Sequence, residues 1–338
     1  MRAVGFHTPG SIDREDALID IELPTPVPGD RDLLVAVRAV SVNPVDYQVR
    51  KGEFGPSGEG LKVLGWDAAG VVSAVGREVT LFRPGDEVFY AGSILRPGTN
   101  AEFHLVDERI VGAKPRTLDW AAAAALPLTA ITAWEALFDR LDVRRPVAGA
   151  APAILIIGGG GGVSSIAIQI AKALTDLTVI ATSSRPETMD WVRSLGADHV
   201  IDHRRPLAEQ VAALGLGAPS FVFSTTHTDR HLGQIAELIA PQGRFGFTDD
   251  PTIDIELFKP KAVSIHYELM FTRTMFDTAD VAEQGALLNE VSRLVDAGTL
   301  RTTMTELHTP INAATLKNVH ALIESGSTIG KIVLEGFG

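Results

Sequence analysis

No cysteine occurs among the 338 residues. That excludes disulfides and thiolate chemistry, and it removes the commonest ligand of structural zinc. Positive charge is also in deficit, since 30 Lys and Arg face 42 Asp and Glu for a net charge of −12. Such a chain repels a phosphate backbone, so no nucleic-acid partner is expected, and any bound anion needs a local basic or N–H cluster. Long apolar runs are missing as well: charges or prolines interrupt every stretch before it reaches the length of a membrane span. The N-terminal MRAVGFHTPGSIDRED has no apolar signal core. A cytoplasmic protein without membrane contact is the expectation. The nine histidines are scattered. His227 and His231 are four apart, but HTDRH lacks the glutamate of a zinc-protease helix, so both are read as solvent-facing.

What is present concentrates in one segment. From Ile154 to Lys172 the sequence reads ILIIGGGGGVSSIAIQIAK, a short apolar strand running into five glycines and out into a helix. Gly158 to Gly162 carry no Cβ, so the backbone can turn tightly and a pyrophosphate can approach the free N–H groups at the helix N-terminus. Read as GxGxxG, the pattern falls on Gly159, Gly161 and Ser164, with serine as the smallest polar departure from the third glycine. Ile166, Ala167, Ile170 and Ala171 follow at helical spacing. The expected contacts of a dinucleotide are therefore Gly159, Gly160, Gly161, Gly162 and Val163.

The chain is longer than one ordinary core supports, and two domains are expected. The first 120 residues carry strand-like runs, DLLVAVRAVSV, AAGVVSAVG, DEVFYAG and AEFHLVDERIVGA, separated by turns at VPGD, KGEFGPSGEG, RPGDE and LRPGTN. This close punctuation suggests a partly closed barrel. From Leu118 the alanine-rich DWAAAAALPLTAITAWEALFDRL reads as two helices joined at LPLT, because Pro127 interrupts it. Beyond Ala153, strands at 154–157, 178–181, 199–201, 221–224, 244–247 and 263–266 alternate with helices, which predicts a parallel, doubly wound sheet with right-handed crossovers. Helices around 280–297 and 313–324 and a final strand GKIVLEGF look like a return to the first domain.

In a dinucleotide fold an acidic residue at the end of the second strand accepts the ribose 2′-hydroxyl of NAD. Here Thr182, Ser183, Ser184 and Arg185 stand in that place. Hydroxyls and a guanidinium can bond a 2′-phosphate that an aspartate would repel, so NADPH is the expected cofactor. The alternative reading of Arg185 is a solvated residue opening the next helix.

Several motifs together resemble the medium-chain dehydrogenase/reductases, in particular the zinc-free, quinone oxidoreductase-like branch: SVNPVD, GWDAAGVVSAVG, RPGDEVF, ALPLTAITAWEAL, the glycine turn, LGADHVIDHR, ELMFTRTMF and GKIVLEGF occur in the family's order. The resemblance implies an α/β protein. A GroES-like β-barrel catalytic domain (1–125 and 267–338) is interrupted by a Rossmann nucleotide-binding domain with a doubly wound parallel sheet (126–266). Nicotinamide meets substrate in the cleft between them, and homodimers are implied. Zinc alcohol dehydrogenases carry cysteine where this chain has Asp46, and a GHE triplet where it has Gly65, Trp66 and Asp67. Tryptophan cannot ligate zinc and aspartates alone make a poor site for it, so no metal is expected.

Without a Lewis acid the substrate must already be electrophilic, as quinones and conjugated enones are. The resemblance puts Asn43 beside the nicotinamide as a donor to the substrate oxygen. Tyr47 has two readings, proton donor or packed tyrosine, because on an extended segment it points opposite to the family's tyrosine position, here Gln48. Thr129 is implied to lie against the nicotinamide, and Phe247, Phe271 and Arg273 to border the cofactor. Arg273 has an ion pair as its alternative, and His203 either stacks on adenine or is a plain loop residue. Lys172 and Lys331 are weaker candidates. The expected activity is NADPH-dependent, zinc-independent hydride transfer to quinones or other activated carbonyl conjugates, acting on a small electrophilic molecule. Its rivals are an alkenal or enone double-bond reductase, an alcohol dehydrogenase, and an NADPH-binding protein without significant turnover.

Overall fold

The computed structural model describes residues 1–55 and 60–338. Part of the turn expected over KGEFGPSGEG, residues 56–59, lies outside the described residues. The chain divides into two compact units, Met1–Ile131 with Phe271–Gly338, and Thr132–Met270.

The first unit is built mainly on antiparallel strands. β1 (Arg2–Phe6) pairs with β2 (Ile19–Glu22) and with β4 (Lys62–Val63). A larger sheet runs in the order β15 (Met304–His308), β16 (Lys331–Glu335), β3 (Asp32–Ser41), β5 (Ala68–Val75), β6 (Glu87–Tyr90), β8 (Val111–Ala113), with β7 (Phe103–Asp107) also on β3. The segment AEFHLVDERIVGA, read as one strand, is thus two. Asp107 accepts the backbone N–H of Arg109 at 2.9 Å, and this cap turns the chain through a 3₁₀ turn at Glu108–Ile110.

Helix α1 (Pro44–Lys51) follows β3 directly. Asn43 precedes it in extended backbone, Pro44 occupies the first turn where a missing N–H costs nothing, and Asp46 three residues on accepts the Asn43 N–H at 2.7 Å. The 41–47 segment is therefore not extended throughout. Tyr47 sits on a helix, where one step rotates a side chain by about 100° rather than reversing it.

Helices α2 (Trp120–Ala124) and α3 (Pro127–Trp134) flank Pro127 as expected, and a π-helical turn, Glu135–Arg140, continues α3. Together Trp120–Arg140 is long and apolar enough, by length and composition, to cross a membrane, and most of it is buried in the protein interior. This corrects the expectation that every apolar run is cut short. Pro127 begins α3, where proline is tolerated, and the break between the two helices falls just before it, at Ala125 and Leu126.

In the second unit the parallel sheet runs β11 (His199–Ile201), β10 (Thr178–Thr182), β9 (Ala151–Ile157), β12 (Pro219–Ser224), β13 (Arg244–Phe247), β14 (Ser264–Tyr267). Helices α4 (Gly162–Leu174), α5 (Pro186–Ser194), α6 (Leu207–Ala213) and α7 (Thr228–Leu238) make crossovers. Both faces are covered: Leu155, Ile157, Ile180, Val222, Phe245 and Phe247 are buried on one, and Ile154, Ile156, Val179, Phe221 and Phe223, which alternate with them, on the other. Strand order reverses between β9 and β12, and the crevice at the carboxyl ends of these two strands is where such sheets bind ligands. The chain then completes the first unit with α8 (Thr272–Met275), α9 (Glu283–Asp296) and α10 (Ala313–Glu324).

Candidate active site: a glycine-rich turn and a buried Asp–Lys–Asn network

The glycine turn lies at that switch point. Gly158 has φ +86°, and a Cβ there would come within 2.7 Å of Thr225 Oγ1 and 2.8 Å of the Thr226 side chain. A Cβ on Gly159 would meet the Thr182 carbonyl at 2.8 Å, and one on Gly160 the Thr188 side chain at 3.0 Å. The turn is thus enclosed by the segments that follow β10 and β12. Its exit is open to a ligand. The first intrahelical bond of α4 runs from Ser165 N–H to Gly161 O, and no side chain caps the helix, so Gly162, Val163 and Ser164 present N–H groups without intrahelical acceptors. These groups fit a pyrophosphate. Ser164, in place of the third glycine, is buried with its hydroxyl 2.9 Å from Thr225 Oγ1, so it packs the helix against β12.

At the end of β10 the hydroxyls divide. Thr182 Oγ1 accepts the Gly158 N–H at 3.0 Å and holds the turn in place. Ser183 is buried and donates to Thr188, while Ser184 is half-buried and Arg185 exposed. Of the expected 2′-phosphate contacts, Ser183 is therefore committed inward. His203 is half-buried just beyond β11, with its pKa lowered by burial and by the charges of Arg204 and Arg185, against the opposing pull of Asp202. Lys172 pairs with Asp198 at 2.9 Å, a bond between α4 and the residue just before β11. Phe247 is fully buried, packed edge-on against Tyr267 and beside Phe245. Its ring has no surface to offer a ligand, which corrects its expected place bordering the cofactor.

A second constellation lies within the first unit. Lys331, on β16, is buried, and its ammonium donates to the Val42 carbonyl at 2.9 Å and to Asn43 Oδ1, and lies 3.2 Å from Asp67 Oδ2. Asp67 also accepts Asn43 Nδ2 at 2.8 Å, Ser41 Oγ at 2.9 Å and the Leu128 N–H of α3 at 2.7 Å. That last bond ties the start of α3 to the first unit. Burial raises the Asp67 pKa and lowers that of Lys331, each against the pull of its partner. Asp46, also buried, is pushed up to about 7 by desolvation, and its Oδ1 has no hydrogen-bond partner.

This network corrects the role given to Asn43. Its side chain is buried and bonded to Asp67 and Lys331, so it is an internal node and not a free donor. Tyr47 is half-buried with the Lys51 ammonium 5.0 Å from its ring centre, and the charges acting on it are Lys51, Glu324 and Glu53, none of them in the network. The packed-tyrosine reading is the one its surroundings match. Thr129 is buried and donates to Leu126 O at 3.1 Å. Phe271 lies edge-on to Trp66, and Arg273 takes its alternative, an ion pair with Asp280 at 3.0 Å.

The donor set does not fit zinc. Trp66 donates its indole N–H to Ser93 O, Asp67 is saturated by hydrogen bonds, and a lysine ammonium already lies beside it. Among the described residues no group of three or more His, Asp or Glu is arranged to hold a metal. A metal that prefers nitrogen and sulfur finds neither here.

Residues 29–116 match the alcohol dehydrogenase GroES-like domain, and residues 195–334 match a family described as zinc-binding dehydrogenase. The chain is 38% identical over 339 residues to a zinc-type alcohol dehydrogenase-like protein of Staphylococcus aureus, covering 99% of each. The chain belongs to the medium-chain dehydrogenase/reductase family. A solved structure from Rhizobium etli, proposed to be a zinc-dependent alcohol dehydrogenase, superimposes with a TM-score of 0.98 at 71% identity, covering 100% of this chain and 98% of that one. A 2-methylene-furan-3-one reductase of Solanum lycopersicum is 34% identical over 214 residues, 61% of this chain and 53% of the relative. This medium-chain reductase is accordingly an oxidoreductase with a GroES-like domain and a nicotinamide-dinucleotide-binding fold. Its buried Lys331 stands apart from the zinc in those relatives' descriptions.

Proposed function

We propose that this protein is an NADPH-dependent, zinc-independent oxidoreductase that passes hydride to quinones or other activated carbonyl conjugates. The observation that carries the reading is the Asp67 carboxylate, filled by Ser41, Asn43, Leu128 and Lys331 next to Trp66, which stands where the zinc branch has the histidine of its GHE triplet. A site that holds its own cation internally offers no Lewis acid to a carbonyl, so the acceptor must be electrophilic beforehand. Bound NADPH supplies the hydride. The protein's part is to hold the pyrophosphate on the N–H groups of Gly162, Val163 and Ser164 and to accept the 2′-phosphate near Ser184 and Arg185. Burial pushes the Asp46 carboxyl up to about 7, against the backbone N–H groups of Asn43 and Gly65 that favour its charged form.

Enone double-bond reduction is the second reading, favoured by the identity to the tomato 2-methylene-furan-3-one reductase. We further infer a cytoplasmic homodimer. NADPH absorbance followed with a panel of quinones, enals and simple ketones, with and without chelator, tests the proposal. Turnover with quinones or enals that survives chelation is expected, and relative rates rank the two readings. Activity confined to simple alcohols and ketones and abolished by chelation would overturn both.

A further inference from the structure

The chain enters the second unit at Thr132 and leaves it at Met270. Just inside each end stands an acidic residue: Glu135, at the start of the π-helical turn, and Glu268, directly after β14. Glu268 extends the pairing of β14 with β13, its N–H bonding Phe247 O at 2.9 Å. The π-helical turn closes where the Leu141 N–H meets Ala136 O at 2.9 Å, five residues back, and β13 holds its end through Arg244, which donates to Leu141 O at 2.7 Å. Such turns are rare and concentrate at functional sites. Here the turn lets the Arg140 guanidinium reach both acids, Nε lying 3.0 Å from Glu268 Oε2 and Nη2 3.9 Å from Glu135 Oε2.

The two carboxyl side chains are 0% and 1% exposed and hydrogen-bond each other. Ionised carboxylates offer only acceptors, so this contact requires a proton on one of them. Among the described residues neither Glu268 oxygen receives a hydrogen bond from another donor, the approach of Arg140 being a charge contact. One guanidinium balances one carboxylate. Asp139 adds negative charge nearby, and His266, facing Arg140 and Arg244, is held below the ordinary imidazole range by burial and by those two cations, so it supplies no second positive charge. We propose that Glu135 and Glu268 form a one-proton latch that ties the segment entering the second unit to the segment leaving it, and that the latch opens when the shared proton departs. Without that proton, two desolvated carboxylates face a single guanidinium and repel each other. Opening into water releases the proton wherever the pH exceeds the ordinary carboxyl range, so rising pH favours the open form.

Hydrogen exchange of the full chain at pH 5, 6, 7 and 8, read by mass spectrometry and corrected for base-catalysed intrinsic exchange, tests this in peptides covering 132–141 and 264–270. Expected in the wild type is protection that falls by up to about tenfold per pH unit, in both peptides together, and levels off once the closed latch itself loses its proton. Glu135→Gln, whose amide donates to Glu268 at every pH, should keep protection nearly constant over the same range. Infrared spectra of the wild type should show a buried carboxylic-acid carbonyl band that Glu268→Gln removes. Wild-type protection that is flat in pH, a Glu135→Gln profile as steep as that of the wild type, or a wild-type spectrum without the band overturns the latch. The wild-type measurements decide the question even if neither variant folds.

Discussion

At the scale of single residues, Lys331 is the side chain whose importance the structure most changes. It is a buried cation with all three ammonium hydrogens directed at oxygens of Val42, Asn43 and Asp67. Removing one member of a buried ion pair leaves the other charge desolvated, which typically costs about 3–5 kcal/mol. Lys331→Met, which keeps the chain length and loses the charge, should therefore lower unfolding free energy by roughly that amount in urea titrations. Adding Asp67→Asn should recover part of the loss. A Lys331→Met protein within about 1 kcal/mol of wild type would mean that Asp67 is neutral and the network is held by hydrogen bonds alone.

Among elements, the β9–turn–α4 unit joins backbone geometry to ligand binding. Gly158→Ala places a Cβ against Thr225 and Thr226 at a left-handed position, whereas Gly149→Ala, at φ +73°, meets nothing within 4 Å. Both should lose about 1–2 kcal/mol to backbone strain. Only Gly158→Ala should also weaken NADPH binding, measured by fluorescence titration, because only there must the turn shift. Equal binding by the two variants would remove the turn from the site. This unit was readable in the sequence, since an apolar run, five glycines and a helical repeat specify their own local geometry. The strands around it were readable for the same reason, with Ile157, Ile180 and Val222 in short buried runs. β15 was missed because MTELH is mostly exposed and carries no alternating pattern. Asn43, Arg273 and Phe247 were named on family position. Asn43 has its partner Lys331 far away in sequence, and no local pattern reports a contact across 288 residues; Arg273 and Phe247 have nearer partners in Asp280 and Tyr267, but nothing in the sequence says that they meet. One signal was available: Lys331 precedes IVLE in a strand otherwise buried, where an unpaired ammonium could not remain.

Across the whole molecule, buried titratable groups set how stability follows pH, and two of them act in opposite directions. His320 on α10 is fully buried beside Arg50, neither ring nitrogen has a partner, and burial holds its pKa down at about 3. Its unfolded value is near 6.5, so between about pH 6.5 and 3 the unfolded chain binds a proton that the fold refuses, and stability falls as pH falls. Asp46 is the reverse case. Its folded pKa is raised from 3.8 to about 7, so the stability it contributes is complete below pH 3.8 and is lost as pH rises to 7. Each group accounts for about 1.4 kcal/mol per pH unit inside its window. The windows overlap between roughly pH 4 and 6.5, where the two slopes oppose each other within one protein. His320→Leu should gain on wild type by about 1.4 kcal/mol for every unit the pH is lowered through that range, and Asp46→Asn by a similar amount for every unit it is raised. Urea unfolding at pH 4.5, 5.5 and 6.5 reads both differences directly. Parallel stability curves for wild type and His320→Leu would show that the imidazole is hydrated or protonated in the fold, and parallel curves for Asp46→Asn would remove the carboxyl that holds its proton near neutrality.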